Sequence, residues 1–226
     1  MGKKKMKKKI SMAVLMVTLI LPILSQSQES DFGNWLIYIG NKKLNNNWNI
    51  HNEIQYRNYN AIGDLEQLLL RTGLGYTFND SKNNLLLGYG YILSKNYTEG
   101  ASDDKTSVNE HRIFQQFTSG QTVGSVKLNH RYRFEQRFVE DDFKMRFRYF
   151  LALNVPFTNK EDNAFYASAY NEVFLNTETS VFDRNRVYAG IGYNLNSNIR
   201  LEAGYMNQFF ETNGRDQFNI FTYVNF

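Results

Sequence analysis

From residue 32 onward, apolar and polar residues alternate with a period of two almost without interruption. That repeat belongs to extended strands, whose successive side chains point to opposite faces, and not to helices. In the run 48–57, Trp48, Ile50, Ile54 and Tyr56 share one face, with Asn52 the exception; Asn49, His51, Glu53, Gln55 and Arg57 share the other. Val126, Leu128, Tyr132, Phe134 and Phe138 likewise oppose Lys127, Asn129, Arg131, Arg133, Glu135 and Arg137. Phe143, Met145, Phe147, Tyr149, Leu151 and Leu153 oppose Lys144, Arg146, Arg148 and Asn154. The last run places Phe218, Ile220, Thr222, Val224 and Phe226 on one face. Strands near 32–41, 108–118 and 164–176 alternate less cleanly. Turns rich in Asn, Asp, Ser and Gly separate the runs at Asn79–Asn83, Ser119–Gln121, Glu140–Asp142, Thr158–Asn163, Asn196–Asn198 and Thr212–Asp216. The longest connection is the polar stretch Lys95–Ser107. The pattern predicts an all-β, antiparallel chain.

The first residues follow another logic. Six lysines lie within 2–9, residues 10–24 are almost wholly apolar, and Ser25-Gln26-Ser27 supplies small residues for cleavage. This is the layout of a secretory signal peptide, expected over 1–27 with cleavage after Ser27. The apolar run is shorter than the roughly 20 residues that span a bilayer. The leader carries six of the 26 basic residues, so a net charge of +4 becomes −2 over 28–226. The basic character thus belongs to the leader and argues for no nucleic-acid partner. There is no cysteine, which excludes disulfides and thiolate chemistry.

Four features predict that the charged face of 28–226 points inward and the apolar face outward, as in a transmembrane β-barrel of the bacterial outer membrane. Several runs exceed the roughly 9–11 residues that a tilted strand needs to cross a bilayer. Short and long connections alternate along the chain, as periplasmic turns and outer loops do. Aromatics gather at both ends of the apolar face: Trp48, Phe78, Phe117, Phe157, Phe165, Tyr193 and Phe226 at one rim, Tyr56, Tyr91, Phe138, Phe143, Phe209 and Phe218 toward the other. The amphipathic last strand ends on Phe226, an ending expected to serve as the signal read by the barrel-assembly machinery. Glycines 73, 75, 88, 90, 190, 192 and 204 fall on the polar face, where they would let a narrow lumen accept bulky side chains. Eleven strands can be counted. Because bacterial single-chain barrels are even-numbered, ten or twelve are expected.

The residues Glu110-His111-Arg112, Asn171-Glu172-Val173-Phe174, 186–193 and Gly204-Tyr205, with Trp35 and the run Glu53–Arg57, resemble the bacterial family labelled domain of unknown function 2490. The resemblance covers most of 28–226. It implies an outer-membrane-like barrel of unassigned activity and carries no catalytic residues over.

The chemistry-bearing residues sit on the polar face. A hairpin at Glu140–Asp142 sets Arg137 against Lys144, Glu135 against Arg146 and Arg133 against Arg148. With Arg131 and Arg186 these make a basic lumen wall, to which Arg112, Arg184 and Arg200 could add. Glu53, Glu110, Glu135, Glu172 and Glu202 are its acidic partners. Such a wall is either a structural salt-bridge ladder or the lining of a channel that prefers small anionic solutes. His130 falls on the apolar face, while His51 and His111 fall on or near polar faces beside carboxylates. No spacing marks a metal site, a cofactor or a catalytic residue, and no motif marks Ser125 or Ser168; a membrane-embedded hydrolase stays the third alternative because barrels of that kind exist. The leading expectation is a narrow, anion-preferring barrel. A plugged barrel acting through its outer loops is the second.

Overall fold

Eleven strands fill the computed structural model, which describes residues 32–78, 82–98, 104–158, 164–178 and 180–226. They are β1 Gly33–Lys43, β2 Trp48–Asn58, β3 Leu65–Thr77, β4 Asn83–Tyr97, β5 Lys105–Val123, β6 Val126–Val139, β7 Asp142–Pro156, β8 Phe165–Asn176, β9 Phe182–Asn194, β10 Ile199–Phe209 and β11 Gly214–Asn225. The expected signal peptide lies outside the described residues. Every strand pairs with its sequence neighbour in antiparallel register, and β1 closes the ring on β11 in parallel, from Gly33 opposite Gln217 to Asn41 opposite Asn225. The barrel therefore has eleven strands, neither ten nor twelve. An even number is forced only when every pair is antiparallel, and one parallel seam lifts that condition. It also places the start of β1 at the opposite end of the barrel from Phe226. Closure leaves no strand edge with unpaired backbone groups.

Two connections differ from expectation. Ser119–Gln121 is not a turn: Gly120 pairs with Asn129 inside the β5–β6 ladder. The chain reverses at Gly124–Ser125 instead, where Gly124 takes φ +64°, a conformation that costs glycine little. The long connection Lys95–Ser107 is strand at both its ends, since Lys95 pairs with Ser107 and Tyr97 with Lys105. Nor do short and long connections alternate. The segments 44–47, 78–82, 124–125, 157–164 and 195–198 lie at the Phe226 end, and 59–64, 98–104, 140–141, 177–181 and 210–213 lie at the other. Neither set is uniformly the shorter.

The alternation is resolved as an inverted barrel. Glu53, Arg71, Glu110, Arg112, Arg133, Glu135, Arg146, Arg148, Glu172 and Arg186 are buried, while Leu87, Phe147, Ile191 and Trp48 are exposed. Outside, aromatics pair in two rows: Trp48 on Tyr76 at 5.2 Å and Phe165 on Tyr193 at 4.7 Å toward the Phe226 end, and Phe138 on Phe143 at 5.2 Å toward the other. Inside, the polar-face glycines make room for large rings. A Cβ on Gly192 would stand 1.8 Å from Cζ of Tyr166, and one on Gly88 2.3 Å from Cζ of Phe114. The interior is not uniformly charged. Trp35, Ile37, Tyr188, Met206 and Phe221 form a buried apolar cluster on β1 and β9–β11, while most of the buried charges stand on β2–β8.

At the end away from Phe226, the 59–64 loop is clasped to β4 and β5. Asp64 accepts hydrogen bonds from Lys105 Nζ and, at 2.6 Å, from Tyr97 Oη. Burial would lift the Asp64 carboxyl, but these bonds outweigh it and hold the carboxyl below its ordinary value. A carboxyl depressed in the folded state contributes stability above its unfolded pKa and loses it as pH falls through the folded one. Acidification below the ordinary carboxylate range is thus expected to lower the protection of the Tyr59 and Asp64 amides, measured as exchange relative to an unstructured chain at the same pH. The Asp64→Asn protein should show the same loss of protection at neutral pH.

Candidate functional site

All twelve arginines of the chain lie on the inward-facing register or its rims: Arg57, Arg71, Arg112, Arg131, Arg133, Arg137, Arg146, Arg148, Arg184, Arg186, Arg200 and Arg215. Around them stand Glu53, Glu66, Glu110, Glu135, Glu172, Glu202 and Asp183. Positive charge is in clear excess.

Glu135, fully shielded from solvent, is the hub. Its Oε2 accepts from Arg146 Nη2 at 2.7 Å and Nε at 3.1 Å, and its Oε1 from Arg148 Nη1 at 2.6 Å. Arg133 and Arg112 approach to 3.7 and 3.9 Å. The hairpin register causes this, with Arg146 directly opposite Glu135 and Arg148 directly opposite Arg133. Glu172 on β8 takes Arg148 at 2.6 Å and Arg131 at 2.7 Å, with Arg186 at 3.8 Å. Glu110 holds Arg112 and, at 2.6 Å, Arg137; Glu53 holds Arg71 at 2.6 Å. Four of the five expected acidic partners therefore meet arginines. Among the described residues Glu202 meets none: it accepts a hydrogen bond from Tyr166 Oη at 3.0 Å. Lys144 stands at the rim beside Asp142, with 44% of its side chain exposed, and belongs to the mouth and not to the buried wall.

Where carboxylates run short, amides and aromatic faces take over. Arg57 donates to Gln55 and Gln67, Arg133 to Gln116, and Arg186 to Gln208. Arg57 and Arg186 flank Trp35 at 3.6 and 4.8 Å from its ring centre. Arg148 and Arg186 lie over Phe174 at 4.4 and 4.6 Å, and Arg133 over Phe114 at 4.6 Å. Such faces attract cations, more so when water is excluded. This aromatic part of the layer is absent from the sequence reading. Its signal is present nonetheless: Phe114 and Phe174 occupy polar-register positions, two residues beyond Arg112 and Glu172.

The histidines divide. His51 points inward, 3.0 Å from Asn41 Oδ1 and 3.6 Å from Glu53. His130 lies on the outer face as expected, bonded to Tyr149 and Gln121. His111 departs from expectation. It lies on the outer face against Tyr89 and Tyr91, because the inward register of β5 is held by Glu110 and Arg112. Ser168 is inside, so the barrel wall separates it from His111 and His130. Ser125 lies in the reversal between β5 and β6. Among the described residues no cluster of acids and histidines could hold a metal ion.

Between the charged layer and the Phe226 end the lumen is open. A vestibule of about 700 Å³, within the usual size range of small-molecule pockets, is walled by asparagines such as Asn41, Asn49, Asn129 and Asn225, and by Phe150 and Tyr223. A deeper cavity of about 220 Å³ shares Arg131, Arg200, Phe150 and Tyr223 with it and reaches Glu172, Arg186 and Glu202.

Residues 32–219 match the family described as protein of unknown function DUF2490. An uncharacterized protein of Methylorubrum extorquens (strain AM1) is 31% identical over 168 residues, covering 69% of each chain. No solved structure matches.

Proposed function

Because the chain belongs to the DUF2490 family, whose description names no activity, we propose from geometry alone that it is an integral outer-membrane barrel with a blind, solute-binding lumen. The observation that carries this reading is the inversion of polarity. Arginines and glutamates are buried inside, and leucines, phenylalanines and a tryptophan are exposed outside. In water, an exposed apolar surface of this extent invites association; in lipid it is the stabilising surface. The aromatic rows then sit at the two interfaces. β11, with Phe226 after it, is the segment offered to the barrel-assembly machinery during insertion, after export on the N-terminal leader.

The lead expectation of an anion-preferring channel needs a path past the Glu135 layer. Glu135 and Phe114 are wholly shielded, and Arg133, Phe174, Trp35 and Tyr188 nearly so. Paired charges and stacked rings from β1 to β9 fill this section. They support the structural-ladder alternative for the barrel's middle and leave the vestibule as its working part.

Planar-bilayer recording on the refolded protein under a salt gradient tests the closure. Folded protein is expected to insert and stay silent. Stable, anion-selective steps that diminish in Arg133→Ala would restore the channel.

A further inference from the structure

We propose that the floor of the vestibule is an oxyanion site, which takes the phosphate or carboxylate of a small polar solute. The inference rests on the blind-lumen reading and names what that lumen binds. Three arginines lining the vestibule each keep an N–H nitrogen that is shielded from solvent and has no hydrogen-bond partner: Arg131 Nε, Arg133 Nη1, which lies 3.7 Å from Glu135, and Arg200 Nε; His51 Nε2, 3.6 Å from Glu53, has none either. Arg133 is 3% exposed and His51 9%, so neither nitrogen can turn to bulk water. A buried donor left unmade is costly. Three such donors around one cavity are the arrangement that an oxyanion with several acceptor oxygens would satisfy.

Arg200 is the sharpest case. It has no carboxylate within ion-pair distance among the described residues. Instead its guanidinium is held over Tyr223 at 4.0 Å and over Tyr166 at 5.7 Å. Those rings fix its plane while leaving its edge free, a placement suited to a bidentate contact. Arg131 is fixed similarly, over Phe150 at 4.3 Å, with Nη2 on Glu172. The excess of arginines over carboxylates supplies the driving charge. The asparagine walls above the floor offer paired donors and acceptors for the hydroxyls of the solute's body.

Titration calorimetry of the refolded protein in detergent micelles, with glucose 6-phosphate, inorganic phosphate and glucose as probes, tests the site. Glucose 6-phosphate is expected to bind saturably, inorganic phosphate more weakly, and glucose not at all. Arg200→Gln, which breaks no ion pair, should weaken glucose 6-phosphate binding about tenfold or more, and Arg200→Lys should retain part of it. Equal binding of phosphate and glucose 6-phosphate keeps the oxyanion site and removes the role of the asparagine walls. Absence of binding by both phosphates to protein that migrates as a folded barrel overturns the proposal, as does affinity unchanged in Arg200→Gln. The bilayer recording reads closure independently, so failure of the site and failure of the blind-lumen reading are told apart.

Discussion

Glu135→Gln is expected to lower the stability of the folded barrel by at least about 3 kcal/mol, the scale on which removing one partner of a buried ion pair acts. The amide keeps the shape of the carboxylate, so packing is little disturbed. What it removes is the charge on which Arg146 and Arg148 converge at hydrogen-bonding distance and which Arg112 and Arg133 approach to within 4 Å. Arg146 retains Asp183 at 2.8 Å and Arg148 retains Glu172 at 2.6 Å. Among the described residues Arg133 retains only the amide of Gln116 as a hydrogen-bond acceptor. Urea unfolding of the lipid-reconstituted protein, followed by the heat-modifiable shift of folded barrels on gels, reads the loss. Because the cost is uncompensated charge, Glu135→Gln combined with Arg148→Met should be less destabilised than the two single changes summed. If Glu135→Gln unfolds at the wild-type urea concentration, the layer is not held by its ion pairs and the closed section must be abandoned.

The second large effect comes from a residue with no side chain. Gly192→Val should prevent most molecules from reaching the folded form, because its Cβ alone would fall 1.8 Å from the ring of Tyr166, well inside any tolerated contact. Overpacking of this kind costs about 3 kcal/mol when neighbours cannot yield. Tyr166 cannot yield freely: its hydroxyl is tied to Glu202 at 3.0 Å and its ring faces Arg200. Removing the ring should therefore rescue the folded form. The Gly192→Val, Tyr166→Ala protein is expected to fold in higher yield than Gly192→Val alone, measured as the folded fraction after refolding. Equal yields would mean that the glycine serves the strand's twist and not the ring.

The faces of the strands were legible residue by residue. Period-two patterning put Arg133, Glu135, Arg146 and Arg148 on one side and Phe134, Phe138 and Phe147 on the other, and the hairpin at Glu140 fixed which of them meet. Glycine 192 could be read as space for a ring, though not as space for Tyr166, because a partner from the next strand depends on register. His111 was misplaced because it follows Glu110, and adjacency in a strand means opposite faces. Glu202 was expected to meet an arginine. Its nearest inward neighbours across the ladders are Gly192 and Phe221, so a tyrosine reaching over Gly192 arrives first. The strand number escaped for a different reason. The β1–β11 seam joins residues from the two ends of the chain, and local patterning carries no information on whether such a pair runs parallel.

That seam limits how a barrel of this kind can change size over evolutionary time. Duplicating or losing a hairpin alters the count by two, so an odd barrel stays odd and keeps a parallel closure through any number of such events. Passing to the even-numbered class requires gain or loss of a single terminal strand. That step also carries one chain end across to the other mouth of the barrel, along with whatever is attached to it. By gain or loss of whole hairpins alone the parity is kept, and relatives that differ in this way are expected to share the parallel seam.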